Sequence, residues 1–156
     1  MKRWALTIAL AVATGGAVAG TLTCPLPAAA VQVAPCPSDD ELRHTYTGYC
    51  SDNARLYGRE AEICSRFENY RALKNTALWE AGDGAFQGYL SCELPRATIA
   101  ALQPLRVAVG RQGSVTRVAC SYAQGVTFTL RTKARCEVLG TGQCEGDPAG
   151  CRVRCD

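Results

Sequence analysis

The chain has one histidine, His44, and one methionine. It has no Cys-x-x-Cys pair and no glycine-rich phosphate loop. Each absence excludes something. A Ser/His/Asp or Cys/His site would have to use His44, which sits in His44-Thr45-Tyr46 beside no nucleophile signature. Cys151-x-x-x-Cys155 alone is a poor zinc motif, so no metal and no cofactor is expected. Carboxylate pairs such as Asp39/Asp40 or Asp52/Glu60 are present, but no spacing marks them for glycoside chemistry. Residues 94–135 hold no acidic side chain at all, against seven basic ones: Arg96, Arg106, Arg111, Arg117, Arg131, Lys133 and Arg135. Residues 39–93 carry ten acidic and six basic side chains, so the chain is electrically polarised along its length.

What the chain has in excess is cysteine. Ten in 156 residues mark a disulfide scaffold in an oxidising compartment. They are Cys24, Cys36, Cys50, Cys64, Cys92, Cys120, Cys136, Cys144, Cys151 and Cys155, and their pairing is not deducible from spacing. The N-terminus fits that compartment. Lys2 and Arg3 precede an apolar run over residues 4–13, and Ala17-Val18-Ala19 is an A-x-A cleavage signal. Residues 1–19 therefore read as a secretory signal peptide, and the run is too short for a membrane span. A second cut after Ala30 is conceivable. It would remove Cys24 and leave an odd number of cysteines, so the cut after Ala19 is favoured. Threonine before Cys24 is wrong for a lipoprotein box, so lipidation is not expected. Loss of Lys2 and Arg3 leaves 15 basic and 14 acidic residues. Bulk charge then gives no reason to expect nucleic acid.

Residues 20–37, rich in proline and alanine and uncharged, read as a linker or extended arm. An α+β domain is expected over 38–135: a small antiparallel sheet with a short helix, stapled by disulfides. Ser38 with Glu41 matches a capping box, with a turn into a strand as the alternative. Leu56, Ile63, Phe67 and Tyr70 recur at helical spacing, which predicts an amphipathic helix over 61–71 with a Glu62–Arg66 pair. Cys50 and Cys64 would pin this segment to the sheet. Glycines around Asp83 predict a hairpin turn after Trp79, which either caps the core or offers an aromatic platform. Residues 95–103 predict one or two helical turns that Pro104 ends. Residues 136–156 read as a cysteine-rich tail ordered by its bridges.

The strongest fold signal is residues 105–135, three alternating runs broken by glycine-bearing turns. A four-residue turn at 110–113 would oppose Val109 to Ser114 and Arg106 to Arg117. A three-residue turn at 123–125 would oppose Tyr122 to Val126 and Arg117 to Arg131. Leu105, Val118 and Leu130 would then form an inner row and the arginines an outer one. Arginine forks suit phosphate, sulfate and carboxylate. Arg106, Arg111, Arg117, Arg131 and Lys133 are accordingly the candidate anion-binding residues. The alternative is a solvated face neutralised by acids from 39–93.

Several motifs together resemble a family of small exported bacterial proteins of unknown function. They are Cys36-Pro37-Ser38, the Trp79 hairpin, and Arg117-Val118-Ala119-Cys120-Ser121-Tyr122 followed by Val126-Thr127-Phe128-Thr129-Leu130. Residues 46–70 and the cysteine-rich tail depart from that pattern. The resemblance implies export and a small β-rich domain, and it carries no catalytic residues. Tyr89-Leu90-Ser91-Cys92 is also similar to the opening strand of bacterial periplasmic lysozyme inhibitors, but their Ser-Gly-x-x-Tyr loop is absent and the basic sheet has the wrong sign. These observations together lead to an exported, non-enzymatic binding domain, periplasmic or extracellular. Its expected partners are an anionic glycan, a lipid headgroup or a secreted protein, and its alternative role is inhibitor or immunity-type partner of a secreted enzyme.

Overall fold

The computed structural model describes residues 20–145 and 147–156; the leader expected at 1–19 lies outside them. The protein is a small mixed fold of antiparallel sheets, short helices and five disulfides. Nine strands are described: β1 Gly20–Thr23, β2 Val31–Gln32, β3 Thr76–Ala81, β4 Phe86–Ser91, β5 Pro104–Gln112, β6 Val115–Tyr122, β7 Thr127–Thr132, β8 Cys136–Leu139 and β9 Arg152–Cys155. They make a six-stranded sheet in the order β2-β3-β4-β7-β6-β5 and a three-stranded sheet in the order β1-β9-β8. The helices are α1 Asp39–Tyr49, α2 Asn53–Leu56, α3 Ala61–Ser65, α4 Phe67–Lys74 and α5 Arg96–Ala101.

Alternation decides which face is core. Trp79, Phe86, Leu90, Val107, Val118, Cys120, Tyr122 and Phe128 point inward from the large sheet. They share one cluster with Val153 and Cys155 of the small sheet, with Cys151 just before β9, and with Ile99 and Leu102 of the α5 segment. Trp79 is therefore a core residue, not an exposed platform. Tyr122 spans the core, and its hydroxyl donates to the Pro25 carbonyl at 2.5 Å. Burial pushes its phenol well above the ordinary value. A folded-state pKa raised above the unfolded one gives stability that is present below about pH 10, the ordinary tyrosine value, and lost as pH rises. We expect wild-type protein to weaken in urea above that pH, and Tyr122→Phe to lose this alkaline component while costing stability at neutral pH. An unchanged alkaline slope in Tyr122→Phe would refute the assignment.

The expected arm and tail do not stand apart from the domain. Residues 20–37 supply β1 and β2, one to each sheet, and bury Cys24, Pro27 and Ala30. The tail supplies β8 and β9, which pair with each other and with β1. Gly140 and Gly142 lie at positive φ between the strands.

The capping box at Ser38 and Glu41 is present and starts α1. Asp39, Asp40 and Glu41 lie in the first turn, where the helix dipole favours negative charge. Hydrogen bonds from the Ser38 backbone N–H and then its hydroxyl lower the Glu41 pKa. The single helix expected over 61–71 is two helices, broken at Arg66, which is extended at φ −151° and ψ 145°. Cys64 ends α3 against Cys50, and Phe67 and Tyr70 of α4 pack on Tyr46. Glu62 and Arg66 do not pair; the Glu62 carbonyl accepts from Ser65 and Asn69 side chains. Cys50 bonds Cys64, so this bridge braces the helices rather than pinning them to the sheet. Attachment to the sheet comes from Cys36–Cys92 and from Arg71, which pairs with Asp39 and Glu93.

Candidate functional site

The register of β6 and β7 is as expected: Arg117 opposes Arg131, Val118 opposes Leu130, and the turn is Ala123–Gly125. The β5–β6 register differs by four residues. Gln112 opposes Val115 around a two-residue turn in which Gly113 has φ 58°. A glycine in the first position suits that tight hairpin, so the strands run on past the expected four-residue turn. An even shift leaves the faces unchanged but moves the partners. Arg106 opposes Ser121 rather than Arg117, and Gly110 now opposes Arg117. Leu105 is not in the inner row. A register break between Pro104 and Arg106 places it outward, 48% exposed, while Pro104 and Val107 point in.

The arginine row expected from the sequence is thus a pair, Arg117 and Arg131, flanked by a glycine. Two shallow depressions meet at it. One, of about 290 Å³, is lined by Leu78, Gln87, Gly88, Tyr89, Arg117, Thr127, Thr129 and Arg131. The other, of about 620 Å³, is lined by Gly110, Arg111, Gln112, Val115, Arg117 and Arg131. Arg117 and Arg131 come together here, while Arg111, paired with the buried Thr116, leaves β5 on the opposite face and reaches only the rim. Arg106 and Lys133 line neither depression. Lys133 lies past the end of β7, and Arg106 is four residues from Gly110, about 13 Å along the strand.

Neutralisation by acids from the first half does not occur. Among the described residues the ion pairs join Arg55 to Asp52 and Glu60, Arg71 to Asp39 and Glu93, and Arg154 to Glu137. None involves Arg106, Arg111, Arg117, Arg131 or Lys133. Those acids serve the helices instead. Glu80, on β3, accepts from Gln87 at 3.0 Å. Tyr89 is the residue that sequence reasoning missed. It is 72% exposed beside the arginine pair. Its signal was there to find, since Phe86 and Leu90 fix the inward parity of β4 and put Tyr89 outside.

His44 lies on α1 and lines a separate hollow of about 680 Å³ with Glu41, Tyr49, Arg55, Tyr70 and Lys74. Tyr49 is already engaged there. Arg55 stacks 4.0 Å from its ring centre, and its hydroxyl donates to Glu60 at 2.7 Å, which raises its pKa. The sulfurs of Cys24, Cys144 and Cys151 lie within 4.8 Å of one another, a spacing a metal could use. They are committed to the Cys24–Cys120 and Cys144–Cys151 disulfides, and an oxidised sulfur offers no thiolate. Among the described residues no helix is long and apolar enough to cross a membrane.

The chain is, then, a small disulfide-stapled domain with acidic and basic residues on its surface. No family model, curated protein or solved structure matches it.

Proposed function

We propose that this chain is an exported, non-enzymatic binding domain, periplasmic or extracellular, whose outer sheet face holds an anionic ligand. The observation that carries the reading is the Arg117–Arg131 pair, two like charges set directly opposite with no carboxylate within 4.0 Å of either. Such pairs cost some tenths of a kcal/mol and gain from an anion placed between them. Thr127, Thr129, Gln87 and Tyr89 add hydroxyl and amide groups around that point. Anionic glycans and lipid headgroups have the matching chemistry. Export rests on the leader and is supported by five disulfides that use all ten cysteines. A cut after Ala19 keeps Cys24 for its bridge to Cys120, whereas a cut after Ala30 would strand Cys120.

Arg117→Glu with Arg131→Glu is expected to leave folding intact, because both side chains are exposed, and to abolish retention on heparin and on anionic vesicles. Retention equal to wild type would refute the reading. A second reading, an inhibitor or immunity-type partner of a secreted enzyme, is favoured by Tyr89, since an exposed tyrosine beside arginines is the composition of interface hot spots.

A further inference from the structure

The large sheet ends at β5, and that edge is only half covered. The tail seals the first half. Val107 N–H donates to the Gly142 carbonyl at 2.8 Å, and Cys144 N–H donates to the Leu105 carbonyl at 3.0 Å. These bonds show that the backbone groups of 105 and 107 point away from β6. On an antiparallel strand the direction alternates, so those of 109 and 111 point the same way. Among the described residues, neither Val109 nor Arg111 has a backbone partner on that side. The edge beyond the tail is therefore an open ladder, two residues per face, running to the hairpin tip at Gly113.

The surroundings choose the occupant. On one face lies a pocket of about 400 Å³ lined by Val109, Arg111, Thr116, Arg135 and Cys136. On the other lies the depression that ends in Arg117 and Arg131. A strand added at this edge would send alternate side chains over each. Both faces present arginine, and among the described residues none of the four is ion-paired. Asp156 comes near through its amide, which donates to the Arg135 carbonyl at 2.9 Å, yet it makes no ion pair either. A second copy of β5 would bring Arg111 and its neighbours against their own like charges, so self-pairing is opposed.

We propose that the open edge of β5 at 109–111 accepts an extended acidic segment of a partner protein by strand addition. Main-chain bonds to Val109 and Arg111 supply the ladder, and the arginines on both faces select glutamate or aspartate. The proposal shares Arg117 and Arg131 with the glycan or lipid reading, but its ladder uses backbone groups that reading leaves idle.

The probe is a blocked peptide alternating glutamate and threonine, titrated into the oxidised protein and followed by amide NMR. The Val109 and Arg111 amides are expected to shift downfield and become protected from exchange. A peptide with lysine for glutamate, and one N-methylated at alternate residues, should both fail to bind. Arg111→Pro removes one outward N–H that has no partner in the fold, a change edge strands tolerate. It should weaken peptide binding about tenfold or more, whereas Arg111→Gln, which keeps the N–H, should weaken it only a few fold. Melting curves of both variants should overlay the wild type. Three results would overturn the idea: full binding by the N-methylated peptide, full binding by Arg111→Pro, or a concentration-dependent dimer abolished by Arg111→Pro. No binding of the acidic peptide at millimolar concentration would do so too. Heparin retention by the wild-type protein separates this outcome from failure of the anion-binding face.

Discussion

Replacing Cys24 and Cys120 together by alanine should cost about 4–5 kcal/mol of unfolding free energy, the loss expected for opening a loop near 100 residues. The two cysteines are 96 residues apart. Small domains hold only about 5–15 kcal/mol in all, so the variant should sit near its folding threshold at 37 °C. Position makes the loss worse than the loop length alone suggests. Cys24 follows β1 in the small sheet, and Cys120 lies in the middle of β6 in the large one. Their bridge is buried, 2% and 0% exposed, and clamps one sheet to the other. Alanine is the right replacement, because serine would leave buried hydroxyls in need of partners. The control is Cys50→Ala with Cys64→Ala, whose bridge closes a separation of 14 residues within the helices. The loop model gives it about 3 kcal/mol, yet the large sheet should keep its near-ultraviolet signature. Urea unfolding of both double variants measures the difference. A loss below about 1 kcal/mol for the Cys24 and Cys120 pair would show that packing, not the bridge, joins the sheets.

Local signals in the sequence were read well where one short-range rule decided the outcome. Ser38 and Glu41 announced α1, Gly82 and Gly84 announced the β3–β4 turn, and the alternation around Val118 and Phe128 announced the inner face. The β6–β7 register followed from a three-residue turn and placed Arg117 against Arg131. What stayed hidden depended on distant partners. Residues 20–23 form a strand only because β9 lies beside them, and nothing local in Gly20-Thr21-Leu22-Thr23 says so. Nothing local in residues 136–156 announces β8 and β9, which form by pairing with each other and with β1. The β5–β6 register failed because two glycines, Gly110 and Gly113, each fitted a turn, and the strand's extra length chose between them. For the candidate site, parity put the arginines and Tyr89 outside. It could not say whether acids from 39–93 would reach them, since that depends on where the helices dock. Docking of the tail leaves the β5 edge half open, which no reading of β5 alone predicts.

The junction that assembles the candidate site is also the most vulnerable point in the large sheet, and Gly88→Ala should break it. Apart from β2 at one edge, the sheet consists of a β3–β4 hairpin and a β5–β6–β7 meander, joined where β4 meets β7. A single registered pair, Gln87 with Thr129, marks that join, with the Thr129 hydroxyl donating to the Gln87 carbonyl at 3.2 Å. Few ladder bonds hold it, so close packing must. Gly88 faces the Thr127 carbonyl across that join. A Cβ there would stand 2.5 Å from the Thr127 carbonyl oxygen and 3.1 and 3.3 Å from side-chain carbons of Leu90 and Phe128. The oxygen is backbone and cannot swing aside, and Leu90 and Phe128 are 1% and 0% exposed. Alanine must therefore push β4 off β7. Overpacking of this kind costs about 1–3 kcal/mol, and loss of the junction should put Gly88→Ala at or above the top of that range. The same movement carries Gln87 and Tyr89 away from Thr129 and Arg131, so ligand retention should fall with stability. By contrast, Gly110→Ala meets nothing within 4 Å and should melt within a few degrees of wild type. Thermal unfolding and heparin retention of the two variants test the claim together. If Gly88→Ala matches Gly110→Ala in both, the hairpin and the meander are joined elsewhere, and the arginine pair does not depend on β4.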